Sequence, residues 1–145
     1  STVFTIGNND AGYNSGGAND AIAYCFAEIE GFSKFGSYTG NNSDDGPFVY
    51  LGFRPAFVII KESSSGGNAW VMYDNKREPV NPIHLTLQPH LSTAEIDDVD
   101  QLDFVSNGFK MRANQTNARM NNASGATYIY MAFADGQPFK YANGR

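Results

Sequence analysis

Apolar residues in this chain come in short bursts. Some alternate with polar residues at a period of two, others run unbroken for a few positions, and clusters of Gly, Asn and Ser separate them. The first pattern is that of a strand with one buried face, and the second that of a strand buried on both sides. Ala56-Phe-Val-Ile-Ile-Lys61 is a continuous β-favouring run, and Ala69-Trp-Val-Met-Tyr73 follows it across Ser63-Ser-Ser-Gly-Gly-Asn68. Together they predict a buried hairpin. Further strands are expected at Ala21 to Ala27, Phe32 to Tyr38, Phe48 to Leu51, Ile83 to Leu87, Leu102 to Val105, Phe109 to Arg112 and Thr127 to Phe133. In the first of these, alternation sets Ile22, Tyr24 and Phe26 on one face and Ala21, Ala23, Cys25 and Ala27 on the other. A face of such small residues suits the close approach of a second sheet or chain. Helical periodicity is nearly absent. Ser92-Thr-Ala-Glu95 has capping-box spacing, but Ile-Asp-Asp-Val-Asp follows it, so at most one turn is expected. The pattern predicts an all-β chain, an antiparallel β-sandwich of about nine or ten strands with little or no helix.

Comparing the chain with itself aligns Asp20-Ala-Ile-Ala-Tyr-Cys-Phe-Ala-Glu28 with Thr127-Tyr-Ile-Tyr-Met-Ala-Phe-Ala-Asp135, and Phe26 falls on Phe133. Upstream, Asn14-Ser-Gly-Gly17 resembles Asn122-Ala-Ser-Gly125, and Phe4 to Gly7 echoes Phe104 to Gly108 more weakly. The reading that follows is a single sandwich domain over residues 1–145, in which 1–30 is the tail of a preceding repeat unit and 31–145 is one whole unit. Such an arrangement is expected of the C-terminal part of something longer. The alternative is a two-fold element within one sandwich, the N-terminal strand pairing beside its C-terminal twin.

Composition narrows the function classes. With 41% apolar residues in 145, one core can form without disulfides or metals. A net charge of −5 supplies no positive field for a phosphate backbone, so nucleic acid is not an expected partner. No apolar run approaches the roughly 20 residues of a membrane helix, and membrane insertion is not expected. Cys25 is the single cysteine; its apolar neighbours predict a buried, inert thiol.

The polar clusters offer few constellations for chemistry. Asp44 and Asp45, in Asn41-Asn-Ser-Asp-Asp-Gly46, and the run Asp97-Asp-Val-Asp100 carry the hard oxygens that Ca²⁺ prefers. Neither has a full calcium-loop pattern, so solvated turns are the leading reading and no metal is expected; Asp44 and Asp45 are the weak candidates. His84 and His90 flank Pro89 without H-E-x-x-H spacing, and surface or packing roles are expected of them. There is no G-x-S-x-G elbow, G-x-G-x-x-G or P-loop, so neither a hydrolase triad nor a nucleotide cofactor has support, and no cofactor is expected. Trp70, Tyr73, Asp74 and Arg77 combine an aromatic platform with hydrogen-bonding groups, as sugar sites do. The plainer reading makes Trp70 a core anchor and Asp74 to Arg77 a turn. N-x-[ST] sequons begin at Asn41, Asn114 and Asn122.

Five stretches carry a family resemblance: Ile22 to Glu28, Phe35 to Asn41, Gly46 to Lys61, Thr127 to Asp135, and Pro138 to Asn143. With these the chain resembles, over nearly its whole length, a domain common at the C-terminal end of virion proteins of marine tailed phages, especially those infecting cyanobacteria. That domain is a repeated unit often found after a concanavalin-like lectin module in tail fibres or other appendages. The resemblance implies a structural and adhesive virion module without enzymatic activity. It would assemble with copies of itself, as a trimer in a fibre, and contact other virion proteins or host surface polysaccharide. A stand-alone lectin using Trp70, Tyr73, Asp74 and Arg77, a capsid-decorating or tube-forming protein, and a virion glycan hydrolase are the alternatives.

Overall fold

The computed structural model of the protein describes residues 3–4, 22–112 and 121–135. Among them are eight strands and no helix: β1 (Ser33–Thr39), β2 (Phe48–Tyr50), β3 (Pro55–Glu62), β4 (Trp70–Asp74), β5 (Ile83–Thr86), β6 (Ile96–Val105), β7 (Gly108–Met111) and β8 (Thr127–Ala134). They form two four-stranded antiparallel sheets, ordered β1-β8-β3-β4 and β2-β7-β6-β5, which we call sheets A and B. The fold is the expected all-β sandwich. The predicted hairpin is β3 and β4, in register from Phe57 opposite Asp74 to Lys61 opposite Trp70.

Side-chain alternation decides what each sheet buries. In sheet A the inward set is Tyr38, Val58, Ile60, Val71, Tyr73, Tyr128, Tyr130, Ala132 and Ala134, all buried. Sheet B answers with Val49, Ile83, Leu102, Phe104, Phe109 and Met111. Phe109 joins the two layers, with its ring edge-on to Tyr38 at 6.0 Å and to Tyr130 at 5.5 Å between centroids.

One end of the sandwich is closed by polar groups. Tyr38 Oη donates to the Asn121 carbonyl at 2.6 Å, and Asn121 Nδ2 donates to Tyr73 Oη at 2.8 Å and Gln101 Oε1 at 3.1 Å. The Ala123 amide donates to Tyr128 Oη. Next along the chain, Asn122 pins the 40–46 loop: its Oδ1 accepts the Asn41 amide and its Nδ2 donates to the Ser43 carbonyl. Asn122 is only 1% exposed, so the sequon that begins there is inaccessible in the folded chain.

Three expectations need correction. Residues 22–27 lie in no strand and are exposed, so Cys25 is an exposed thiol and not a buried one. β8 is flanked on both sides by β1 and β3, which leaves no place beside it for an N-terminal twin. The run Asp97 to Asp100 lies within β6, not in a turn, because pairing with β5 carries the chain through it in spite of a register irregularity. Ser92 to Glu95 forms no helical turn, in keeping with an expectation of at most one, and Glu95 pairs with Arg77. Residues 1–2, 5–21, 113–120 and 136–145, with the Asn14 to Gly17 lead-in, the Asn114 sequon and Pro138 to Asn143, lie outside the described residues.

Candidate binding surface

The four residues proposed to share a sugar site are divided by β4. Because successive side chains of a strand point to opposite faces, Tyr73 faces inward at 0% exposure, whereas Trp70, at 37%, faces outward with Met72 and Asp74. Tyr73 is therefore a core residue and cannot touch a ligand, and Trp70 is not the core anchor of the plainer reading. Asp74 and Arg77 form a structured turn. Asp74 Oδ1 accepts the amides of Lys76 at 3.0 Å and Arg77 at 2.8 Å, and Oδ2 accepts from Arg77 Nε at 2.6 Å. The Arg77 guanidinium also pairs with Glu95. These partners occupy the groups a sugar would need.

Asp44 and Asp45 lie in an organised loop. Asn41 Oδ1 accepts the Ser43 amide, Asn41 Nδ2 donates to the Asp45 carbonyl, and the Asp45 carboxylate is paired with Lys110. Among the described residues no group of three or more His, Cys, Asp or Glu side chains is placed to hold a metal ion. His84 has carboxylate neighbours that sequence spacing did not reveal. Its Nδ1 contacts Glu78, its Nε2 lies 3.3 Å from Asp97, and Glu78 Oε2 accepts the amides of His84 and Leu85. With a carboxylate at each ring nitrogen, the imidazole is clamped between the 78–82 loop and β6.

Asp74, Glu62, Asp45 and Asp135 are held below the usual carboxylate range by such bonding. At Asp74, burial opposes the charge, but the Arg77 amide, the Arg77 side chain and the Lys76 amide outweigh it. At Glu62, burial is likewise outweighed by hydrogen bonds from Ser65, Ser64 and Asn68. A carboxyl lowered in the folded state contributes stability that is full above its unfolded pKa and is lost as pH falls through the folded value. The urea midpoint should therefore fall below about pH 4, where ordinary carboxyls titrate. Asp74→Asn should flatten part of that acid slope, as urea melts at stepped pH will show.

The unusual surface is the outer face of sheet A. Antiparallel sheets with one solvated face normally alternate apolar-in and polar-out. Here the register sets Phe133 beside Phe57 in one row, Phe35, Met131, Ile59 and Met72 in the next, and Ile129, Lys61 and Trp70 in a third. The apolar members are half-buried or exposed, with Ile129 43% exposed. Only Lys61 and Asp74 bring charge to these positions. Lys61 donates to its neighbour's carbonyl and Asp74 is held by Arg77. Part of the face is covered by Phe26, whose ring lies 6.1 Å from Phe35 and 5.7 Å from Phe133. Phe32 adds an edge contact to Phe133. Unbroken runs such as Phe57-Val-Ile-Ile60 were the available signal for this face, since a strand with one polar side would have alternated.

A family model described as a domain of unknown function, DUF7483, matches residues 1–138. No curated protein matches the chain, and no solved structure does.

Proposed function

We propose that the chain, which belongs to the DUF7483 family, is a structural and adhesive module of a tailed-phage virion, in a tail fibre or another appendage. It assembles with copies of itself and presents loops to a host surface or to other virion proteins. The observation that carries this reading is the apolar outer face of sheet A. Contiguous apolar surface rimmed by polar residues marks an interaction site on soluble proteins. The resemblance to virion domains supplies the setting. Function in such a module comes from copy number, because linking many weak loop contacts raises avidity without any new contact. The organised 40–46 loop and the 63–68 hairpin loop are the surfaces that would be displayed.

The stand-alone lectin reading loses Tyr73 to the core and has Asp74 and Arg77 already bonded to each other, so the virion module is the stronger conclusion. Electron microscopy of virions from a phage encoding the chain, labelled with antibody to it, tests the setting. Label on an appendage is expected, and virions that stay unlabelled would overturn the virion reading. In solution the purified chain should be oligomeric by light scattering.

A further inference from the structure

Residues 22–28 have the sequence of a strand but no sheet. Their match to β8 sets Ile22, Tyr24 and Phe26 at the positions of Ile129, Met131 and Phe133, the outward residues of the strand at the centre of sheet A. In this chain Ile22 and Tyr24 are each 78% exposed, and no described backbone hydrogen bond joins 22–26 to either sheet. Two such side chains left in water forgo the stabilisation that apolar burial brings.

The segment is also firmly aimed. The Phe32 and Ser33 amides both donate to the Ile29 carbonyl at 2.9 Å, and Gly31 takes φ 75° in the turn between them. Ser33 Oγ donates to the Ala27 carbonyl, and Glu28 accepts the Phe35 amide. Only Ile29 to Phe32 separate the segment from β1, a reach of at most about 14 Å. Any body that pairs with 22–28 must therefore lie against the outer face of sheet A, where Phe26 has already landed.

We infer that this segment and the outer face of sheet A form one self-complementary interface, and that its occupant is a second copy of this chain. The inference rests on the self-assembly named above and specifies its surface. Three observations favour a second copy. The segment carries the side-chain pattern of the protein's own central strand. Each copy presents both an exposed segment of strand-like pattern and an apolar face, so a single two-fold contact covers both in both copies. Finally, little of the net charge of −5 that would oppose self-association lies here: Lys61 and Asp74 in the outward rows and Glu28 in the segment are the charged residues of this interface, and each is bonded within the chain.

Cys25 is exposed and is the chain's one cysteine, which makes it the probe site. Chain carrying a nitroxide on Cys25 is mixed with unlabelled-thiol, nitrogen-15 chain bearing Cys25→Ser, so that only intermolecular broadening is seen. Broadening is expected at Ile59, Ile129 and Met131 and not on sheet B; broadening confined to sheet B, or none in an associated sample, overturns the inference. The double variant Ile22→Lys and Tyr24→Lys should lose the oligomer while keeping the wild-type melting temperature, because neither side chain contacts the core. Association that persists in that variant sinks the strand assignment alone and leaves self-assembly standing. A wild type that stays monomeric at high micromolar concentration sinks both, leaving virion labelling to decide the setting.

Discussion

Gly40→Ala should destabilise the protein by about 3 kcal/mol or more, enough to remove much of the margin of a domain this size. Gly40 follows β1 and lies against the 121–126 loop. Its amide donates to the Ala126 carbonyl at 2.9 Å, and its carbonyl accepts the Gly125 amide at 3.0 Å. A Cβ there would meet the Ala123 carbonyl oxygen at 2.2 Å and the Asn122 carbonyl carbon at 2.7 Å, both of them backbone atoms. No rotamer change relieves such a clash. The loop would have to withdraw, and with it the Asn121 and Asn122 side chains that close that end of the sandwich. Gly66→Ala is the control, since an added Cβ there meets nothing within 4 Å; it should stay within about 0.5 kcal/mol of wild type. Urea melts of the three proteins give the comparison, and a Gly40→Ala midpoint equal to that of Gly66→Ala would refute the packing argument.

Asn121→Ala is expected to cost about 2 kcal/mol, because it takes a hydrogen-bond donor from two buried groups, Tyr73 Oη and Gln101 Oε1, which keep a long 3.4 Å bond to each other. Asn121 is 2% exposed, and its Nδ2 serves both Tyr73 Oη and Gln101 Oε1. The Gln101 amide already has one buried group, Nε2, without a partner, so the site has little reserve to absorb a further loss. Burial keeps the neighbouring Tyr38 hydroxyl well above the usual tyrosine range, assisted by Tyr73 and Tyr128, so it stays protonated and donates to the Asn121 carbonyl throughout the physiological range. That bond uses backbone and survives the substitution. The loss should therefore be local: a lowered urea midpoint with an unchanged slope, since the slope follows the surface exposed on unfolding. A changed slope would mean that the end of the sandwich opens as a unit.

Several elements were legible in the chain alone. β3, β4, β7 and β8 follow from apolar runs bounded by Gly, Asn and Ser, and the hairpin of β3 and β4 from its short connection. β6 was legible only in its second half. Its first half, Ile96 to Asp100, has the composition of a turn and becomes a strand because β5 pairs with it. The opposite failure occurs at residues 22–27, where alternation is clear and no strand forms: β1 is an edge strand of sheet A, but the segment meets it through the side chains of Ser33 and Glu28 and not through a backbone ladder. Local pattern measures fitness for a sheet, whereas strand formation also needs backbone hydrogen bonds to a neighbouring strand.

The candidate site divides in the same way. Sequence placed Trp70, Tyr73, Asp74 and Arg77 together, and period-two alternation in β4 was sufficient to separate Trp70 from Tyr73 once β4 was accepted as a strand. It could not tell which of the two faced the core. By itself the sequence determined the all-β class and most strand positions, because these depend on short-range periodicity. Only the tertiary structure decided that Tyr73 is buried, that His84 lies between Glu78 and Asp97, and that sheet A turns an apolar face outward. Those facts depend on which strands become neighbours, and that is set by contacts between residues far apart in the chain.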